Sequence, residues 1–307
     1  MKKPKLLVTP TKLEDIVPLV EAGADAFVIG EQRYGLRLAG EFKQESLADA
    51  VDIIHQHGKK VYVAVNALFH NDLLPMLREY LLFLQELDVD AVIFGDPAVL
   101  MFAREVAPKL ALHWNAETTA TNYFTCNYWG ERGARRAILA RELNLDAVLE
   151  AKENAKVEIE VQVQGMTCMF QSKRKLIDNY FNFQGKDLVK VGSEQWTYLY
   201  DPERDNQYPI FQDVSGTHIM SPSDICMIDE LPDLVNAGID ALKVDGVLKD
   251  RQYLVAVTKL YRTAIDLLLM DVDQYHLAKA DLYKQVEALQ PSGRPLDTGF
   301  YFKETVY

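Results

Sequence analysis

The sequence predicts an α/β chain folded as a TIM-type (β/α)8 barrel with a long insertion after strand seven. Short β-branched apolar runs alternate with stretches of helical period, and eight such strands can be read along the chain. An open dinucleotide-binding sheet would place a glycine-rich turn after its first strand, but residues 6–9 run into Pro10-Thr11-Lys12. Repeated βα units with short connections instead favour closure into a parallel barrel.

The first unit pairs a strand at 6–9 with a helix at 12–22, which Gly23 closes. The next two units are 26–29 with 44–56 and 61–66 with 73–87, and Gly30 and Gly58 mark breaks between elements. Then come 91–94 with 97–107, 111–115 with 122–131, and 136–140 with 146–154. Strand seven, 157–163, is unusually clear, because Val157, Ile159, Val161 and Val163 alternate with Glu158, Glu160 and Gln162. Strand eight, 241–244, follows a helix at 229–237. Residues 165–220 contain no βα unit and occupy the place of the loop after strand seven, on the active face of a barrel. That segment carries Phe170, Tyr180, Phe181, Phe183, Trp196, Tyr198, Tyr200, Tyr208 and Phe211, which suit either a lid or the small core of a subdomain. The expected organisation is a barrel over 1–270, including an excursion or lid at 166–220, and a C-terminal helical tail at 271–307.

Thirty-three basic residues against 45 acidic ones give the 307-residue chain a net charge of −12, which argues against general polyanion binding. Three cysteines, Cys126, Cys168 and Cys226, are too few for a four-thiolate metal site, and their odd number argues against a disulfide framework. A reducing cytoplasm is the expected compartment, and no bound metal is expected. No apolar run approaches the roughly 18 residues of a membrane span, and the start of the chain lacks a signal-length apolar stretch.

A barrel keeps its reactive groups at the C-terminal ends of its strands. The candidates there are Arg33 and Arg37 after strand two, Asn66 and His70 after three, and His113, Asn115 and Glu117 along five. Arg141 and Glu142 follow strand six, Cys168 follows seven, and Lys243 and Asp245 belong to eight. Arg33 and Arg37, four apart, and Arg141 are suited to gripping a carboxylate, or else form rim ion pairs with Glu31, Glu41 or Glu142. His113 is notable because inward residues of a barrel are normally apolar, so a polar one there is either satisfied or functional. Cys126, in a helix, and Cys226, opening one, read as buried small hydrophobes. Cys168 is followed by Lys173-Arg174-Lys175, and nearby cations favour a thiolate. Within 171–190 five basic residues, Lys173, Arg174, Lys175, Lys186 and Lys190, face Asp178 and Asp187. Interleaved with Tyr180, Phe181 and Phe183, they match what single-stranded RNA needs, and they equally suit a solvated loop. Arg132, Arg135 and Arg136 form a second basic run.

Several stretches resemble landmarks of the peptidase U32 family over nearly the whole chain: Leu139-Ala140-Arg141-Glu142-Leu143, Ser221-Pro222-Ser223-Asp224-Ile225-Cys226 and Ala237-Gly238-Ile239-Asp240-Ala241-Leu242-Lys243-Val244-Asp245-Gly246. The family signature is matched at Glu160, Gly165 and Cys168, but Lys175 stands where a second cysteine belongs. Phe69-His70-Asn71-Asp72, His113-Trp114-Asn115 and Gly165-Met166-Thr167-Cys168-Met169-Phe170 resemble a Gram-positive branch that pairs with a cysteine-complete paralogue. The resemblance implies a subunit of the system that hydroxylates tRNA uridine 34 at carbon 5 with prephenate as a required compound. It also implies that a [4Fe-4S] cluster sits only in the partner, that this chain alone holds no cofactor, and that the two form a hetero-oligomer. Prephenate carries two carboxylates, which gives the arginines a ligand. Two other activities are expected alternatives. One is a hydrolase (the family label is protease) with Cys168 as nucleophile and His70 or His218 as base, and Glu142 as a further catalytic candidate. The other is a non-catalytic barrel binding a small dicarboxylate.

Overall fold

A computed structural model describes residues 2–115, 121–185 and 197–303. Its elements run β1 (Lys5–Val8), α1 (Ile16–Glu21), β2 (Ala26–Ile29), α2 (Gln44–Gln56), β3 (Lys60–Val65), α3 (Leu74–Glu86), β4 (Ala91–Phe94), α4 (Pro97–Val106), β5 (Leu112–Asn115), α5 (Tyr123–Glu131), β6 (Ala134–Ile138) and α6 (Leu145–Asn154). They continue with β7 (Glu158–Ser172), α7 (Leu176–Phe183), β8 (Thr197–Asp201), β9 (Asn206–Asp213), β10 (Gly216–Cys226), α8 (Leu231–Asn236), β11 (Ala241–Val244), α9 (Arg251–Met270), α10 (Val272–Ala288) and β12 (Leu296–Asp297).

Strands β1 to β7 pair in parallel in chain order, and β11 closes the ring by pairing in parallel with both β7 and β1. This is a closed eight-stranded parallel barrel with helices between its strands, the TIM-type architecture. Helix starts follow the chemistry of the sequence: Asp96, Asn122, Asn144, Asp250 and Asp271 each accept a backbone N–H of the first turn of α4, α5, α6, α9 and α10. Outside the strands, Leu6, Val8, Phe27, Ile29, Val61, Val63, Ile159 and Val161 pack against the helices. Inside, Leu7, Ala26, Tyr62, Ala91, Ile93, Ile138 and Ala241 form a smaller apolar cluster. The polar side of β7 faces inward: Glu160 is fully buried and pairs with Arg136 at 3.1 Å, and Glu158 pairs with the same guanidinium. Arg136, read from sequence as part of a basic surface run, is therefore a barrel-interior residue, 1% exposed. No helix among the described residues is long and apolar enough to cross a membrane.

The structure departs from expectation at 165–220. Strand seven does not end at 163 but runs on to Ser172, and its outer half pairs antiparallel with β10, followed in order by β9 and β8. The expected loop is thus a β ribbon continuous with the barrel sheet. Gly165 makes the departure feasible: its φ is +112°, a conformation that favours glycine, and a Cβ there would lie 2.6 Å from the Asp245 carbonyl oxygen. Cys226, expected to open a helix, is instead the last residue of β10, opposite Gln164.

Candidate active site at the barrel mouth

The ribbon folds across the C-terminal ends of the strands as a lid. It is fastened to the loops after β2 and β3: Lys173 Nζ donates to the Leu68 carbonyl at 2.8 Å, Ser215 Oγ to that of Gln32 at 3.4 Å, and Arg37 to Gln171 Oε1 at 2.7 Å. Beneath it, Arg37, Asn66, Asn115, Arg141, Lys243 and Asp245 line one mouth cavity. An adjoining cavity of about 300 Å³ shares Arg37 and Arg141 and adds Glu142, Thr167, Cys168, Gln171 and Phe300. Strand ends chosen from the sequence thus converge.

Asp245 Oδ2 lies 3.5 Å from both Arg141 and Lys243. Arg37 lines the same inner cavity, and exposed Glu142 stands at the outer rim. Two arginines and a lysine at one mouth are side chains of the type that recognise anionic groups. Arg37 sits at φ +53°, a strained conformation for a non-glycine residue. Asn66 Oδ1 accepts from the Leu36 amide at 2.9 Å and so fixes the loop that carries Arg37.

Other candidates lie elsewhere. Arg33 is exposed, donates to the Met76 sulfur at 3.7 Å and lines a separate outer groove with Glu31 and Lys173. Residues four apart share a face only on a helix, and 31–38 is a turn, so the Arg33–Arg37 clamp does not form. His113 does face inward, 5% exposed, but packs edge-on against Tyr62 at 4.7 Å and lines neither mouth cavity. Burial first, and then Arg136, hold its pKa well below the ordinary histidine value. His70 is exposed and lines neither cavity. Glu117 lies outside the described residues, as do Lys186, Asp187, Lys190 and Trp196. Lys173, Arg174 and Lys175 form an exposed turn between β7 and α7.

Asp213, at the end of β9, escaped the sequence reading. Its Oδ1 lies 3.1 Å from Nε2 of His218, a fully buried ring stacked on Phe211 at 4.8 Å. Burial disfavours the charged ring, but the hydrogen bond to Asp213 and the influence of nearby Cys168 outweigh it and raise the His218 pKa above its ordinary value. The strand register sets His218, and not His70, on the ribbon face that carries Cys168. The Asp213-Val214-Ser215-Gly216 turn was the available signal, since a tight hairpin pairs Asp213 with Gly216 and so brings Asp213 alongside the strand that carries His218.

The thiols do not fit an iron–sulfur cluster. Cys126 is buried in α5 and Cys226 at the end of β10, each pushed up to about 11 by burial, and neither approaches the cavity that holds Cys168. Among the described residues no group of three or more His, Cys, Asp or Glu is arranged to hold a metal ion.

The molecule is a TIM-type barrel whose cations and thiol gather at the C-terminal strand ends, the face where such barrels keep their active sites. The chain belongs to peptidase family U32, whose model matches residues 11–306. It is 63% identical to tRNA hydroxylation protein P2 of Bacillus subtilis, covering 100% of both chains. It is 33% identical to tRNA hydroxylation protein P1 of the same organism, over 91% of this chain and 67% of that one. The 23S rRNA 5-hydroxycytidine C2501 synthase of Escherichia coli is 26% identical over 80% of this chain and 37% of its own length.

Proposed function

We propose that the chain is a subunit of a tRNA wobble-uridine (U34) 5-hydroxylation system that acts with a cysteine-complete paralogue. The observation that carries this reading is the end-to-end identity of 63% with a tRNA hydroxylation protein. The match to a second such protein of the same organism supports a paralogous partner. The mouth adds chemical support, because Arg37, Arg141 and Lys243 suit the two carboxylates of prephenate. The exposed Lys173-Arg174-Lys175 turn, near Phe170, Tyr180 and Phe183, offers phosphate neutralisation and stacking surfaces for tRNA.

Deleting the gene and profiling tRNA nucleosides by mass spectrometry tests this. The expected result is loss of 5-hydroxyuridine-derived wobble nucleosides, restored by the intact gene. Their persistence in the deletion strain, with no second pathway present, overturns the reading. The Cys168–His218 pairing would also serve a hydrolase. Cleavage of fluorogenic peptides by the purified chain, abolished in Cys168→Ala, is the outcome that would favour that alternative.

A further inference from the structure

We propose that Cys168 is a nucleophile that adds to C6 of a pyrimidine held in the barrel-mouth cavity, with His218 accepting its proton and Asp213 orienting His218. This rests on the hydroxylation reading, which makes the substrate a pyrimidine, and deepens it by placing a covalent step in this chain.

Three adjacent antiparallel strands bring the residues together: Cys168 on β7, His218 on β10 and Asp213 on β9. Cys168 stands opposite Met220, and Gln171 opposite His218, so these side chains share one face of the ribbon. Gln171 accepts from Arg37, which turns that face toward the mouth. Asp213 holds His218 Nε2 at 3.1 Å, and the buried Nδ1, with no hydrogen-bond partner among the described residues, is left to take the thiol proton, while Cys168 Sγ donates to the Phe170 carbonyl at 3.4 Å. Cys168 is part-exposed in the 300 Å³ cavity, a size that admits a pyrimidine ring. Phe170 and Phe300 at its edge offer stacking surfaces. A second observation points to a ligand independently. Thr167, 6% exposed and lining the same cavity, has a buried Oγ1 with no partner among the described residues. An unpartnered buried polar group costs about 1–3 kcal/mol, which a ligand atom would offset.

The chemistry needs no oxidant. C5 of a pyrimidine is a weak nucleophile while its C5=C6 bond is conjugated with the C4 substituent. Sulfur attack forms an S–C6 bond, the π pair moves toward C5 and the C4 oxygen, and the thiol proton passes to His218. C5 then takes a proton from water. In the reverse direction C5 loses a proton to water, the S–C6 bond breaks, and His218 returns its proton to sulfur. The ring is regenerated with its C5 hydrogen exchanged for one from solvent. The same C5-activated adduct is the species an electrophilic oxygen donor would meet.

The test is deuterium exchange. A tRNA carrying unmodified U34 is incubated in D2O with the full-length chain, alone and with its paralogue, then digested for nucleoside mass spectrometry. Deuterium at C5 of U34 above the protein-free control is expected, falling to that background in Cys168→Ala. His218→Gln is expected to slow exchange roughly 100-fold near neutral pH and to recover as rising pH ionises the thiol directly, a response that a merely structural histidine would not give. Thermal melts check folding, and Cys168→Ser replaces Cys168→Ala should the latter not fold. Background-level exchange by both wild-type preparations, or undiminished exchange by the cysteine variant, overturns the step. A Cys168→Ala strain that keeps hydroxylated U34, beside a deletion strain that lacks it, overturns the step and leaves the hydroxylation reading standing. Intact modification in the deletion strain overturns that reading itself.

Discussion

Arg141 and Arg37 reach one cavity from the ends of different elements, and each is anchored by a neighbour, Asp245 for Arg141 and Gln171 for Arg37. A charge-assisted hydrogen bond contributes about 1.5–3 kcal/mol, so calorimetry with prephenate should show binding weakened roughly 10- to 100-fold in Arg141→Ala. Arg33→Ala, on the outer groove, should bind as the wild type does. Equal affinity in all three proteins would remove the proposed carboxylate pocket. At this scale the sequence was readable wherever a residue stood at a strand end. Asn66, Asn115, Arg141, Lys243 and Asp245 were all found that way and do meet. It left His70 and His218 undecided and missed Asp213, because tertiary pairing decides there: Asp213 meets His218, and His218 shares a face with Cys168, only because three strands fold back on one another. The alternation that marked His113 placed it correctly inside the barrel, but alternation says nothing about depth, and His113 lies in contact with Tyr62 and not in the mouth cavities.

The elements of the barrel were legible because each strand and helix carries its own period, with caps such as Asn122 and Asn144 at the boundaries. The ribbon was not, because its strands are interrupted by register shifts at Ile219–Met220 and Met220–Asp224 that break a period-two pattern. What secures this irregular region is a buried ion cluster: Asp224, fully buried, contacts Lys249 after β11 and accepts from Arg294 Nε at 2.7 Å. Arg294 also donates to the Ser221 and Ser223 carbonyls, which clamps the C-terminal segment against the bulge. Burial lowers the Lys249 pKa even against the raising influence of Asp224. Asp224→Ala would leave two buried cations without their carboxylate, and urea unfolding should register a loss of about 3–5 kcal/mol. A change within about 0.5 kcal/mol would show that the cluster contributes little.

For the whole molecule, the net charge of −12 conceals a lid whose exposed basic turn and aromatic side chains differ from the rest of the surface. Met169, Phe170, Tyr180 and Phe183 are each half-exposed or more, and β8 forms the outer edge of the ribbon with Tyr198, Leu199 and Tyr200 similarly exposed. Co-expressed with its paralogue at native levels, the chain should co-purify with it and elute at the combined mass. Iron should be found in that complex and not in the chain purified alone, where three scattered thiols do not meet a cluster's requirements. Separate elution of the two proteins would argue against a stable pair.

Because β7 is one continuous strand from Glu158 to Ser172, its bulges included, the lid and the barrel wall share a single beam. A conventional loop lid swings on flexible ends and leaves its scaffold unstrained, whereas this one transmits load: force on the ribbon passes through Gly165 into the hydrogen-bond ladder that holds Gln162 beside Lys243. Anything that grips the lid from outside therefore pulls on the wall that carries the mouth's cations.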